Sequence, residues 1–239
     1  YVLYARRTAS PVIDLSLFAL PTFRAGVAGG FVFRVGAGAL PFLKRYDDAT
    51  FVPVAPIAGD VPCLSFGGLS KVHRACGWRV GWAVLSGDPK RSTEFRHALD
   101  LLGALRLCAN VPGQFAIQTA LGGYQSIDDL VAPGGRLRRQ RDLAYELITA
   151  IPGVSCVKPK ATLYMFPKLD AKMYPIEDDQ QFIAELLEQE KVLLVQGTGF
   201  NWPTPDHFRL VFLPYEDDLR DAVNRIARFL DGYRKRHGT

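Results

Sequence analysis

The chain has 239 residues, 48% of them hydrophobic and 22% charged, with a formal net charge of +5. That size and apolar content support a globular core of one large domain or two modest ones, and exclude a disordered tail. Six of the 29 basic residues (Arg6, Arg7, Arg24, Arg34, Lys44, Arg45) but only one of the 24 acidic ones, Asp14, fall between Tyr1 and Tyr46. The body is therefore neutral and lacks the basic, aromatic-interleaved face that nucleic acid needs.

In chain order, Arg6-Arg7 ahead of the apolar stretch Val12 to Leu20 imitates a targeting signal. The opening Tyr1 and the lack of a prompt small-residue cleavage site weigh against one. Arg24 and Arg34 break the longest apolar runs well short of the ~18 residues of a membrane span, so none is expected. After Tyr46, turn residues separate regular runs. Val61 to Phe66 and Arg79 to Ser86 read as short buried strands, with Lys71 on the loop between them. Glu94 to Leu107 has helical periodicity, and Asn110 with Pro112 reads as the cap and first turn of a helix through Leu121 that Gly122-Gly123 stops.

Pro133-Gly134-Gly135 opens a long charged helix, Arg136 to Ala150, whose charge density predicts a solvated face, and Pro152-Gly153 ends it. Then come strands Val154 to Val157 and Thr162 to Phe166, a helix Asp178 to Glu190, strands Val192 to Val195 and His207 to Phe212, and a final helix Glu216 to Tyr233. The pattern is mixed α/β, with a compact α+β lobe from about Ser126. Cys63, Cys76, Cys108 and Cys156 lie far apart, as expected of reduced thiols in a cytoplasmic protein rather than of a zinc knuckle or a disulfide framework.

Chemistry concentrates at Gly67-Gly68-Leu69-Ser70-Lys71, between a strand and Gly77-Trp78-Arg79-Val80-Gly81. A lysine at a strand mouth with small neighbours can be approached by a planar cofactor, and desolvation there favours a neutral, nucleophilic amine. Arg79 offers a fork of donors suited to a phosphate. Taken alone, the loop reads as a plain surface turn, and Arg209, within a strand, as a structural ion-pair residue. Rival motifs fail: Gly36-x-Gly38 is followed by Pro41 where a dinucleotide loop needs glycine, Ser155 to Lys158 spells S-x-x-K without its companion motifs, G-x-S-x-G is absent, and the four histidines show no ligand spacing.

The run Gly68-Leu69-Ser70-Lys71-x-x-Arg74-Ala75-x-Gly77-x-Arg79-Val80-Gly81 resembles the pyridoxal-phosphate attachment signature of class I aminotransferases, and Arg74 points to the bacterial alanine aminotransferase branch. Arg106 to Pro112, Ala120 to Ser126, Ile151 to Cys156, Gln196 to Pro203 and Pro205 to Leu210 resemble the same branch, so the resemblance runs from about Tyr46 to Tyr233. It implies pyridoxal 5'-phosphate as cofactor, held as a Schiff base by Lys71, with Ser70 also on the cofactor, Arg79 on its phosphate, and Arg209 clamping the substrate α-carboxylate. It further implies transamination between alanine, or a similar amino acid, and a 2-oxo acid such as 2-oxoglutarate, in a cytoplasmic homodimer. Tyr164 and Phe166 match a strand lining the site but read first as core, and Ala161-Thr162 replaces the usual Gly-Ala.

The implied fold is the fold type I transferase fold, truncated: a partial large domain over residues 46–125 and an α+β small C-terminal domain over residues 126–239. The family's acid on the ring nitrogen and tyrosine on the 3-oxygen fall, in gap-free register, at Gly38 and Pro41, and the expected Asn-Pro-x-Gly turn at Thr8 to Val12 is absent. Residues 1–45 are therefore expected to be an atypical segment, divergent or frame-shifted, in a chain that also lacks the N-terminal half of the enzyme. The alternative to an active enzyme is an impaired or inactive fragment that needs a partner; a binding or regulatory role lacks a visible DNA-binding helix-turn-helix.

Overall fold

The computed structural model describes residues 45–49 and 52–238, which form two compact units: residues 52–123, and residues 45–49 with 124–238. The expectations that rest on residues 1–44, among them Arg6-Arg7, the Gly36 loop, Gly38 and Pro41, lie outside the described residues.

The first unit opens with helix α1 (Val54–Ala58) and an antiparallel hairpin of β1 (Cys63–Gly68) and β2 (Gly81–Ser86). Its ladder runs from Cys63 opposite Ser86 to Gly68 opposite Gly81, so both glycines read as loop residues are inside the strand. Close packing explains them: a Cβ on Gly81 would lie 2.5 Å from the Gly67 carbonyl oxygen, and one on Gly67 would run into the Trp82 ring. Helix α2 (Thr93–Arg106) carries Glu94 in its first turn and Arg106 in its last, as the helix dipole favours. Helix α3 (Val111–Gly122) is capped as expected: the Asn110 side chain accepts the Gly113 N–H at 3.2 Å, and Pro112 sits in the first turn. α2 buries none of its residues and α3 only Gly113.

The second unit begins with α4 (Ile127–Val131), a turn of helix that periodicity did not reveal, and α5 (Arg136–Thr149). Gly135 separates them because α4 leaves no room for a side chain there: a Cβ would lie 2.6 Å from the Leu130 carbonyl oxygen. The charged helix is not simply solvated, since Gln140 and Arg141 are buried with Leu137, Ala144 and Ile148. Three strand pairings follow. β3 (Val154–Ser155) pairs with β5 (Lys168–Leu169), while β4 (Tyr164–Met165), β7 (Phe208–Val211) and β6 (Val195–Gln196) form an antiparallel sheet in the order β4-β7-β6. Helix α6 (Asp179–Glu190) is capped by Asp178, whose carboxylate accepts the Gln180 and Gln181 N–H groups.

The last helix, α7 (Glu216–His237), lays Leu219, Val223, Ile226, Phe229, Leu230 and Tyr233 on one buried stripe against α5 and α6. It runs a turn beyond the expected end at Tyr233, because Arg234 and Lys235 pair with Asp231 and the His237 ring engages the Tyr233 carbonyl at 2.9 Å. Beneath the helices, Phe208, Leu210 and Phe212 of the β7 region complete the core. No helix among the described residues is long and apolar enough to cross a membrane.

Candidate active site

In the first unit, Ser70, Lys71 and Arg79 share the loop that closes the β1–β2 hairpin. Leu69, buried at its base, donates its N–H to the Val80 carbonyl and accepts from Ala75, which pinches residues 69–80 into a compact loop. Within it the Arg74 N–H donates to the Lys71 carbonyl at 3.1 Å and the Cys76 Sγ to the Ser70 carbonyl at 2.8 Å. A 3-10 turn at Cys76–Trp78 delivers Arg79 in the left-handed conformation (φ 48°, ψ 46°), with Nη1 donating to the Cys76 carbonyl at 2.8 Å. The start of α3 abuts the far side of this loop: Asn110 Nδ2 donates to the Trp78 carbonyl, and a Cβ on Gly113 would lie 3.0 Å from Val80 Cβ.

Lys71 and Arg79 are both exposed, so the desolvation expected at Lys71 does not occur within this unit. Lys71 Nζ has no hydrogen bond or ion pair among the described residues, and Arg79 uses one of its five donors. An exposed amine and a largely uncommitted cation thus share one loop, a pairing that a planar aldehyde bearing a phosphate could use.

In the second unit, β7 alternates: Phe208 and Leu210 enter the core, while Arg209 faces the opposite side of the sheet. Its guanidinium Cζ lies 4.9 Å from the Tyr164 ring centroid and 4.7 Å from that of Phe200. Arg209 Nε is buried without a hydrogen-bond partner, and no carboxylate pairs with the side chain among the described residues. A buried donor left open beside two aromatic faces is suited to an incoming carboxylate rather than to a structural ion pair. Tyr164 and Phe166, read first as core, are only half-buried, and Phe166 stacks on His207 (4.8 Å, 24°) and meets Trp202 edge-on at 5.6 Å.

Asp206 ties this aromatic group together, accepting from Trp202 Nε1 at 3.1 Å and Thr204 Oγ1 at 2.6 Å and pairing with His207 Nδ1 at 2.7 Å. Burial alone would raise the Asp206 carboxyl, but the groups on Thr204, His207 and Trp202 outweigh it and hold it at about 2. Neither Phe200 nor Asp206 carried a role in the sequence reading, although both lie within motifs quoted there. No group of three or more His, Cys, Asp or Glu side chains among the described residues is placed to hold a metal ion, and all four cysteines are free.

The model of the family "Aminotransferase class I and II" matches residues 29–226, beginning upstream of the Tyr46 at which the sequence resemblance starts. The chain is 57% identical over 188 residues to the glutamate-pyruvate aminotransferase AlaA of Escherichia coli K12, covering 79% of this chain and 46% of that protein. It is 54% identical over 190 residues to the alanine aminotransferase of Mycobacterium tuberculosis H37Rv, covering 80% and 44%. Among solved structures, an aminotransferase from Escherichia coli superposes with a TM-score of 0.77 at 57% identity, over 80% of this chain and 47% of that one. The alanine aminotransferase from Pyrococcus furiosus gives 0.73 at 31% identity, over 88% and 52%. The chain thus spans about half the length of the curated relatives it matches, and its fold is part of the fold type I aminotransferase fold. It belongs to the class I and II aminotransferase family.

Proposed function

We propose that this chain carries the lysine-bearing part of the large domain (residues 46–125) and the small C-terminal domain (residues 126–239) of a pyridoxal-phosphate-dependent alanine aminotransferase. Its substrates are L-alanine, or a similar amino acid, and a 2-oxo acid such as 2-oxoglutarate. The observation that carries the reading is Arg209: a cation against two aromatic rings with a buried, unpartnered Nε–H, in a chain 57% identical to a glutamate-pyruvate aminotransferase.

Lys71 would hold the cofactor through Nζ, and the same amine would move the proton at the substrate Cα. Arg79 would take the phosphate through the donors not spent on Cys76, and Ser70 would also meet the cofactor. Arg209 orients the substrate by its α-carboxylate. When bound, pyridoxal phosphate supplies the electron sink for deprotonation at Cα. A homodimer and a cytoplasmic setting belong to the same reading.

A second reading is an impaired fragment that depends on a partner, and it draws on the chain's span of about half its relatives' length. One experiment separates them. Pyridoxal phosphate added to the purified chain should give a visible absorption band that Lys71→Ala abolishes, and the loaded protein should convert alanine and 2-oxoglutarate. A band without turnover favours the fragment; no band at all defeats the assignment of Lys71.

A further inference from the structure

We infer that Asp179 is a positioning residue for Arg209, acting through Thr198 to hold the turn that lays Phe200 on the guanidinium; this rests on Arg209 as the carboxylate clamp. Asp179 is the first residue of α6 and is buried, 4% exposed. It is not needed as the cap, because Asp178 already accepts the Gln180 and Gln181 N–H groups. Its carboxylate turns away from its own helix and grips one residue twice: Oδ2 accepts the Thr198 N–H at 2.9 Å and Oδ1 the Thr198 hydroxyl at 2.6 Å. No cation pairs with it among the described residues. A buried carboxylate is costly unless satisfied, and both of these donors come from Thr198.

Thr198 opens the 3-10 turn Thr198–Phe200, and two anchors fix that turn. Gly197 N–H donates to the His207 carbonyl at 2.8 Å, joining the turn to β7, and a Cβ on Gly197 would lie 2.8 Å from that oxygen. Asp179 holds the next residue. The Phe200 ring that results is 46% exposed yet stays 4.7 Å from Arg209 Cζ.

The two rings on Arg209 are therefore placed by different means. Tyr164 is placed by strand pairing, since it faces Val211 across β4–β7. Phe200 belongs to no strand, and its position depends on the turn that Asp179 secures. With Phe200 in place the guanidinium is held in one orientation before a carboxylate arrives, which lowers the ordering cost of binding.

The test uses the full chain labelled with 15N-arginine and follows the Arg209 Nε–Hε resonance with pyruvate as probe and methyl pyruvate, which lacks the carboxylate, as control. In the unaltered protein that resonance should lie upfield from the two rings and move with pyruvate but not with methyl pyruvate. Asp179→Ala should lose part of the upfield shift and weaken pyruvate binding about three- to tenfold, the size of one lost cation–π contact. Asp179→Asn, which keeps an acceptor, should recover part of both. Should Asp179→Ala fail to fold, Thr198→Val decides: Thr198 is exposed, and this change removes only the hydroxyl that reaches Asp179.

An upfield shift and a pyruvate affinity that both survive in the folded variants overturn the inference. If pyruvate leaves Arg209 unmoved in the unaltered protein, the clamp reading falls. The ring shift then still reports, on its own, whether Asp179 positions Phe200.

Discussion

Arg141 and Asp47, 94 residues apart in the chain, meet fork to fork: Nη1 donates to Oδ2 at 2.6 Å and Nη2 to Oδ1 at 3.2 Å. Arg141 is 1% exposed and also engages Asp142, the Pro159 carbonyl and the face of Tyr46, whose centroid lies 4.4 Å from Cζ. Asp47 is 43% exposed and shared with Arg138 at 2.8 Å. The asymmetry sets the expected costs. Arg141→Met removes the buried hub but leaves Asp47 and Asp142 with Arg138 and Lys158, so about 2 kcal/mol should be lost. Asp47→Ala, which leaves Arg141 its other partners, should cost about 1 kcal/mol. Urea denaturation of the two variants checks the order; equal midpoints would show that the hub does not anchor residues 45–49.

Asp206 should give the second unit an acid limb. Its folded-state value of about 2 lies below the ordinary 3.8, so its contribution is fully present above about pH 4 and is lost as the pH falls towards 2. The shift corresponds to about 2 kcal/mol. Asp47 and Asp142 are also held below the usual range and add to the same limb: Arg141 is the main cause at Asp47, while at Asp142 Lys158 and Arg141 together outweigh burial. Stability measured from pH 5 to 2 should therefore fall less steeply in Asp206→Asn than in the unaltered protein.

At the alkaline end the corresponding group is Tyr46, 1% exposed, its hydroxyl donating to the Thr162 carbonyl at 3.1 Å. Burial pushes it up to about 12, with Arg141 opposing and Asp142 assisting. A raised value means that its contribution is complete below about pH 10 and disappears between 10 and 12. Tyr124, Tyr174 and Tyr233 are also raised, so absorbance at the tyrosinate band should show several late-titrating groups; the component missing from Tyr46→Phe should be the one whose ionisation coincides with loss of the second unit's fold.

Gly81→Ala should damage the first unit alone. The added Cβ meets the Gly67 carbonyl oxygen at 2.5 Å, a backbone atom that cannot rotate aside, so the hairpin must open or shift. A loss of about 2 kcal/mol is expected. Faster amide hydrogen exchange at Leu69, whose N–H donates to Val80, should accompany it, while α7 keeps its protection. Unchanged exchange at Leu69 would mean that the loop carrying Lys71 does not depend on this contact.

The helices were largely legible because their causes are local. Asn110 with Pro112 announces α3, Asp178 announces α6, and the apolar spacing of α7 from Leu219 to Tyr233 is its buried stripe. The strands were less so. Val192 to Leu194 is apolar enough to suggest a strand, yet only Val195 and Gln196 enter the ladder, and Leu194 is buried without pairing. Gly67 and Gly68 look like the end of β1 because glycine marks turns, but here its lack of a side chain lets two backbones approach. At the candidate site, Arg209 was marked by the resemblance of Pro205 to Leu210 to the family, since an arginine within a strand otherwise reads as an ion-pair residue. The roles of Phe200 and Asp179 were not legible, because the link from 179 through 198 and 200 to 209 has no periodicity, and Asp179 reads as an ordinary acid in a helix's first turn.

Arg79 sits in a left-handed backbone basin that costs most side chains about 1–2 kcal/mol and that glycine adopts freely. Arg79→Gly should therefore make the loop more stable while stripping it of its cation. Improvement of this protein by heat resistance alone would drift towards that substitution and discard the cation proposed to hold the cofactor's phosphate. Any such selection has to be run with pyridoxal phosphate limiting, so that tighter folding and weaker holding are not scored as the same gain.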